Sequence, residues 1–158
     1  MSLALALDVK DLQHANLLIE QTKPYLGFIK LGHVALSNID INQLETKGIP
    51  IMLDLKFFDI TNTVKEGILG YSKQIKDLSI FTISAACQNE TVQASLEFDC
   101  KPYFVIHLSS DNNQVDKSLM VKEVERIVKL GGRNFICPPF LIDAFRNSFG
   151  NEITLMTP

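Results

Sequence analysis

The chain has 158 residues, of which 46% are hydrophobic and 21% charged, and its net charge at pH 7 is −3. This composition is typical of a single globular domain over residues 1–158, and it excludes a disordered chain, a membrane span and a basic nucleic-acid-binding surface. Three well-separated cysteines predict a reducing, cytoplasmic location without a disulfide or zinc framework.

Short apolar segments recur along the chain and predict the strands of a buried parallel sheet. The first three recur about 24 residues apart, near residues 3, 27 and 51, and helical patterns separate them. This alternation predicts an α/β architecture with right-handed crossovers. The predicted strands are residues 3–9, 27–32, 49–55, 78–84, 103–108, 134–137 and 153–157.

Four helices have readable signals in the sequence. Asp11 is the predicted N-cap of the first helix, and Thr63 with Glu66 forms a capping-box pattern for another. The apolar spacing predicts two more helices, over residues 117–130 and 140–149, and each is followed by glycine.

Two folds fit this order of elements. One is an open doubly wound sheet, and the other is a TIM (β/α)8-type barrel. Seven strands are visible, whereas a barrel needs an eighth, so neither fold matches this order of elements perfectly.

Charged residues stand near the carboxyl ends of the first three predicted strands. Because side chains alternate along a strand, Asp54 and Lys56 share one face of the third strand, while Asp8 and Lys30 take the matching face of the first two. Residues at these strand ends form the active sites of parallel barrels. A single Asp there is more often a cap and a single Lys is more often solvated. The prediction of an active site therefore depends on the agreement of all four positions.

The segment DLKFFDITNTV, residues 54–64, resembles the signature of the orotidine 5′-monophosphate (OMP) decarboxylase family. ALALDV and FIKLG are similar to the family's first two strands. HLSSDNNQ, residues 107–114, is similar to its pyrimidine-side serine loop, and ITLMTP, residues 153–158, to the strand before its phosphate loop. The Asn-Thr extension of the central motif points to the orotidine branch among related phosphosugar enzymes.

The resemblance implies a homodimer of TIM (β/α)8-type barrels, each here lacking the eighth strand and closing helix, and it assigns roles to eight residues. Asp59, Ile60 and Thr63 would enter the site of the neighbouring subunit, while Asp8 would hold the ribose and Ser110 the pyrimidine. The implied catalytic residues are Lys30, Asp54, Lys56 and Asp59.

The implied reaction converts OMP to uridine 5′-monophosphate (UMP) and CO2 in de novo pyrimidine biosynthesis. It would use no metal or organic cofactor, with Lys56 stabilising the developing carbanion and then donating a proton. The expected ligands are these nucleotides, and neither nucleic acid nor a membrane is an expected partner.

Two departures from the family accompany this resemblance. Residues 83–95 read ISAACQNETVQAS where the family carries a His-Ala-x-Gly-Gly segment, so this loop is given no role. The family also continues past Thr-Pro into a Gly-Ile-Arg segment that grips phosphate, whereas this sequence stops at Pro158. We therefore expect the 158 residues alone to be weakly active or inactive.

Three alternatives remain open at this point. A related phosphosugar decarboxylase or aldolase would share the charged motif but would be expected to bind Mg2+. An inactive fragment retained for dimerisation is a second alternative. A doubly wound nucleotide-binding module is the least supported, because the sequence contains no GxGxxG or P-loop motif.

Overall fold

The structure is a computed structural model, and it describes residues 3–107 and 116–158. Seven strands form one sheet in which the spatial order follows the chain, from β1 to β7. The strand pairs β1–β2, β2–β3, β5–β6 and β6–β7 are parallel. The strands are β1 Leu3–Ala6, β2 Leu26–Leu31, β3 Ile51–Phe57, β4 Leu78–Ser84, β5 Lys101–Val105, β6 Asn134–Ile136 and β7 Thr154–Met156.

Six α-helices lie between these strands in the described residues. Four of them match helices that the sequence predicts, whereas α2 and α4 are too short to give a clear periodic signal. The helices are α1 Leu12–Thr22, α2 His33–Asn38, α3 Thr61–Gln74, α4 Asn89–Ser95, α5 Lys117–Lys129 and α6 Ile142–Phe149.

The order of the strands decides between the two predicted folds. A doubly wound sheet reverses its strand order at a switch point, whereas the strands of a β/α barrel follow one another in chain order. The observed order is sequential through all seven described strands. The fold is therefore of the TIM (β/α)8 type, as the sequence predicts.

Contacts group the chain into two compact units, and the first contains Met1–Leu55 and Glu66–Phe81. Within it, Leu5 pairs with Ile29 and Ile29 with Ile51, so one face of β1, β2 and β3 is aliphatic. The single domain that length suggests stays a prediction. The fully buried side chains of this unit include Leu7, Ile19, Ile29, Leu31, Leu53 and Ile68.

Strand β1 is more exposed than its sequence predicts. Its apolar run suggests a strand buried on both faces, yet Ala4 and Ala6 are exposed and Leu3 is 56% exposed. In the described part of the sheet, β1 stands at the end of the strand order and pairs with β2. A strand in that position is covered less than an interior one.

The second unit contains Lys56–Lys65 and Thr82–Pro158. Its core includes Phe104 and Phe135, which are partners in the β5–β6 register and whose ring centroids lie 5.9 Å apart. Ile127 of α5 and Phe145 of α6 are fully buried in the same unit. Apolar burial of this kind supplies most of the stabilisation of such a unit.

The helix caps match the sequence at α1 and depart from it at α3. Asp11 accepts a hydrogen bond from the His14 backbone N–H at 2.7 Å, which confirms its predicted N-cap role. The capping box predicted at Thr63 is wrong, because α3 begins at Thr61 and the Ile60 carbonyl already accepts the Val64 N–H. Across the described residues, no helix has both the length and the apolar character needed to cross a membrane.

Candidate active site

Polar residues form a row across β1, β2 and β3 in the first unit. The register places Ala6 beside Lys30 and Lys30 beside Met52. Two positions beyond Ala6, Lys30 and Met52 stand Asp8, Gly32 and Asp54. The register, together with a direct contact between the Lys30 and Asp54 side chains, confirms the predicted common face for these two residues. The same face for Asp8, which follows the end of β1, and for Lys56 stays a prediction.

Lys30 and Asp54 form an ion pair in this row. Lys30 Nζ donates to Asp54 Oδ2 at 2.9 Å, and the two side chains are only 25% and 11% exposed. Met52, next to Lys30 in the register, is buried. Partial exclusion of water strengthens the attraction between the two charges. The pair thus offers a fixed ammonium and a fixed carboxylate side by side.

Gly32 lies between Asp8 and Asp54, and its role is not predicted from the sequence. A Cβ atom on residue 32 would lie 3.6 Å from Asp8 Oδ1 and 3.7 Å from the backbone oxygen of Asp54. A larger side chain would fill the row between the two aspartates. The glycine directly after the FIKL strand was the available signal for this open position.

Lys56 occupies an unusual backbone conformation near the end of β3. Its φ angle is 51°, in the left-handed region that residues other than glycine rarely adopt. Its backbone N–H donates to Thr82 Oγ1 at 2.8 Å, and Thr82 is fully buried. The alternation rule assumes an extended backbone, so it cannot be applied to the exposed Lys56 side chain. Strained positions of this kind are often found at functional sites.

Asp59 lies in the loop between β3 and α3. Its side chain is exposed, and Oδ1 accepts the Ile60 backbone N–H at 2.7 Å. A carboxylate at a helix N-terminus also stabilises that helix, which is a structural role independent of catalysis. Phe58 and Ile60, on either side of Asp59, are 68% and 69% exposed, and Thr63 is exposed in the first turn of α3.

Two residues beyond β4 tie this loop to the rest of the second unit. The Cys87 thiol donates to the Phe57 carbonyl at 3.6 Å, and its sulfur lies beside the Asp59 backbone. Thr61 and Thr91 share a hydrogen bond at 2.8 Å between their hydroxyl oxygens. Burial raises the pKa of the Cys87 thiol, so it stays protonated and able to donate. The sequence gives no signal for either tether.

One predicted site residue, Ser110, and two histidines without a predicted role remain. Ser110 lies outside the described residues. His33 is the exposed first residue of α2, and the His107 ring lies 6.4 Å from that of Phe140. In the described part of the chain, no three His, Cys, Asp or Glu residues are grouped so as to hold a metal ion.

Comparison with known proteins relates the whole chain to one family. The family model described as "Orotidine 5'-phosphate decarboxylase / HUMPS family" matches residues 1–158. The orotidine 5'-phosphate decarboxylase of Prochlorococcus marinus strain AS9601 is 30% identical, over 98% of this chain and 72% of the relative. That of Synechocystis is also 30% identical, over 97% of this chain and 73% of the relative.

A solved structure shows the same similarity in three dimensions. The crystal structure of orotidine 5'-phosphate decarboxylase from Thermotoga maritima superposes with a TM-score of 0.80 and 25% sequence identity. The match covers 100% of this chain and 78% of that chain. Both the sequence and the fold thus lead to the same group of enzymes.

Proposed function

Since the chain belongs to the orotidine 5'-phosphate decarboxylase / HUMPS family, we propose that it acts as an OMP decarboxylase. The reaction cleaves the bond between C6 of the pyrimidine ring and its carboxylate, releasing CO2 and leaving UMP. It requires no metal or organic cofactor in this proposal. The family membership supports a decarboxylase, and the DLKFFDITNT segment selects the orotidine branch.

The observation that carries the proposal is the partly buried Lys30–Asp54 ion pair. Departure of CO2 leaves an electron pair on C6, which the ring carbonyls delocalise poorly. A positive charge that is already fixed in place stabilises this pair without reorganisation during the reaction. The 2.9 Å contact supplies an ammonium of that kind, restrained by Asp54.

In this proposal Lys56 performs the proton transfer. Its ammonium lies beside C6, stabilises the carbanion and then gives its proton to the C6 electron pair, which yields UMP. The neutral lysine afterwards regains a proton from water. Support comes from the strained backbone at Lys56, since a φ of 51° is maintained by a hydrogen bond to the buried Thr82.

We further propose that the active protein is a homodimer with shared sites. Asp59, Ile60 and Thr63 extend into the neighbouring site, where the Asp59 carboxylate holds the ammonium of Lys56. Support comes from the large exposed fractions of Phe58 and Ile60, because exposed apolar residues of this size are typical of interfaces. Asp8, beside the open position at Gly32, binds the ribose hydroxyls. Ser110 binds the pyrimidine.

The related phosphosugar enzymes are the second candidate. The matched family's description includes a second branch, and Asp-x-Lys-x-x-Asp by itself does not separate the branches. That alternative predicts a reaction that a chelator abolishes. OMP decarboxylation that persists in excess chelator would exclude it.

The proposal is tested by following the loss of the orotate chromophore with purified chain and OMP. We expect Lys56→Ala to lower kcat at least about 100-fold, because it removes both the electrostatic stabilisation and the proton donor. Lys47→Ala is the matched control, since Lys47 is also exposed and has a φ of 55°. Decarboxylation that is equal in the two variants would contradict the role of Lys56.

Binding gives an independent readout of the same proposal. UMP should raise the midpoint of thermal unfolding, because a ligand that binds only the folded state stabilises it. Asp8→Ala should weaken this shift, since the ribose loses an acceptor. A chain that UMP does not stabilise at millimolar concentration would contradict the proposed nucleotide site.

A further inference from the structure

One arginine makes several hydrogen bonds to residues 85–89, which are the loop after β4 and the first residue of α4. Arg126 of α5 donates from Nη2 to the carbonyls of Ala85 at 2.6 Å and Cys87 at 3.2 Å. Its Nη1 donates to the Asn89 side-chain oxygen. Glu123, one turn earlier in α5, holds the same guanidinium at 2.6 Å and 3.3 Å. Arg126 therefore fixes three positions of the loop at once.

The geometry of the Arg126 contacts suits an arginine specifically. A guanidinium presents several donors in one rigid plane, so it can bond two carbonyls, an amide and a carboxylate together. The Arg126 side chain is 29% exposed and the Glu123 side chain is 30% exposed. Partial burial makes the loss of one partner costly, because the remaining polar groups lose their hydrogen bonds.

Cys87 transmits this restraint to the loop that carries Asp59. Its backbone carbonyl is bound by Arg126, and its side chain contacts the backbone of Phe57 and Asp59. Cys87 is only 3% exposed, so its sulfur has little freedom to move away. A displacement of residues 85–89 would therefore displace the backbone at Asp59.

We propose that Arg126 and Cys87 are positioning residues that set the location of Asp59 for catalysis. This inference rests on the proposed function for its catalytic meaning, but the mechanical coupling stands on the contacts alone. It also gives a role to the SAACQN segment, which departs from the family's usual motif at this position.

Hydrogen–deuterium exchange tests the coupling without any need for activity. Arg126→Met should speed exchange in peptides covering residues 84–90 and 57–61 by roughly tenfold or more, because the loop at Phe57 loses a tether that is fixed in place. Arg146→Met is the matched control, since Arg146 also binds two carbonyls, of Gly150 and Ile153, in the same unit. Unchanged exchange at 57–61, or an equal increase in the control, would overturn the proposal.

Substitutions at Cys87 separate hydrogen bonding from packing. Cys87→Ala removes the thiol donor, whereas the hydroxyl of Cys87→Ser can replace it. We expect faster exchange at 57–61 in the alanine variant and substantial rescue in the serine variant. The control Cys137→Ala, at another buried cysteine of the same unit, should leave that peptide unchanged. Equal effects of the alanine and serine variants would contradict a hydrogen-bonding role.

Mixed dimers locate the functional effect. If Asp59 acts in the partner's site, mixing Arg126→Met chains with Lys56→Ala chains restores activity, because the Lys56 of the first chain then meets a correctly placed Asp59 from the second. Mixing Arg126→Met chains with Asp59→Ala chains does not restore activity, because neither chain supplies a correctly placed Asp59. A positioning defect should lower kcat more than it raises KM. Recovery with Asp59→Ala would place the defect in the subunit's own site and overturn the proposal. Absence of decarboxylation in the unmutated chain would instead count against the proposed function. The hydrogen–deuterium exchange result would still decide whether Arg126 and Cys87 hold the loop that carries Asp59.

Discussion

Lys56 is distinguished from the other lysines of the motif region by its backbone. A left-handed φ costs a residue with a side chain on the order of 1 kcal/mol, and the contact with Thr82 maintains it. A solvated surface lysine in a strand would gain nothing from such a conformation. The strain is therefore evidence that the position of this side chain matters.

Relief of this backbone strain should raise the free energy of unfolding. Lys56→Gly should be more stable than Lys56→Ala by about 1 kcal/mol, because glycine adopts a φ of 51° without steric cost. Urea unfolding of the two variants measures the difference. Lys47→Gly against Lys47→Ala should show a similar gain at the other positive φ. A glycine variant less stable than the alanine variant would show that the conformation is not strained.

Cys137 supplies a prediction about pH. Burial raises its thiol pKa to about 11 from an ordinary value of 9.0, and the smaller effect of Arg146 acts in the opposite direction. Between these two values the unfolded chain loses the proton and the folded chain keeps it, so stability falls as pH rises. The thiol's full contribution is present below about pH 9, and roughly 2–3 kcal/mol is lost by pH 11.

Urea unfolding at pH 8 and pH 10.5 measures this effect. The stability advantage of the unmutated chain over Cys137→Ala should shrink at the higher pH. Cys137→Ala removes the titrating group, so it also corrects for the titration of lysines and tyrosines. A constant advantage at both pH values would show that the thiol does not titrate on unfolding.

At the scale of elements, the end of α5 shows how closely a helix packs on a strand. Leu130 caps the helix, and a Cβ atom on Gly132 would lie 2.7 Å from Phe104 Cε2 and closer still to Ile127 Cγ2. Both neighbours are fully buried and belong to the core of the second unit. The glycine pair that the sequence identifies as a helix stop therefore also allows close contact with β5.

Two glycine substitutions test this reading of the packing. Gly132→Ala should lower the free energy of unfolding by about 1–3 kcal/mol, because the added methyl group overpacks the core. Gly70→Ala, within α3 where the added atom meets open space, should raise it by roughly 0.5–1 kcal/mol. Denaturant midpoints compare the two directly. Equal effects would mean that the space around Gly132 can relax.

Local patterns in the sequence predict the elements better than their arrangement. The strands and the long helices follow from apolar periodicity and caps, as at Asp11 and in α5. The capping pattern at Thr63 predicts that α3 starts at Val64, three residues later than the observed start at Thr61. The pattern is local and does not show that the Ile60 carbonyl already accepts the first helical hydrogen bond. The choice between two folds needed the strand order, which depends on contacts distant in sequence.

The same distinction between local patterns and contacts distant in sequence applies to the candidate site. Residue parity predicts the common face of Asp8, Lys30 and Asp54, since strand alternation is local. The backbone of Lys56 could not be predicted, because its partner Thr82 is 26 residues away. The contacts of Arg126 span up to 41 residues, and nothing in the sequence around it distinguishes it from a surface arginine.

At the scale of the whole molecule, the strand order shows a β/α barrel, and the chain belongs to the orotidine 5'-phosphate decarboxylase / HUMPS family. The match extends over residues 1–158, and the relatives share about 30% of their residues with this chain. What the proposal adds is that the charged network is completed by a second copy of the chain. Exposed Phe58 and Ile60 beside Asp59 are the features that favour this arrangement.

Mixing of two inactive variants tests the central claim most directly. Lys56→Ala and Asp59→Ala chains are exchanged into mixed dimers, and OMP decarboxylation is followed by the orotate absorbance. Half of the dimers should then be mixed, each with one intact site, so activity should return to roughly a quarter of the unmutated level. No recovery after verified subunit exchange would contradict a site shared between two chains.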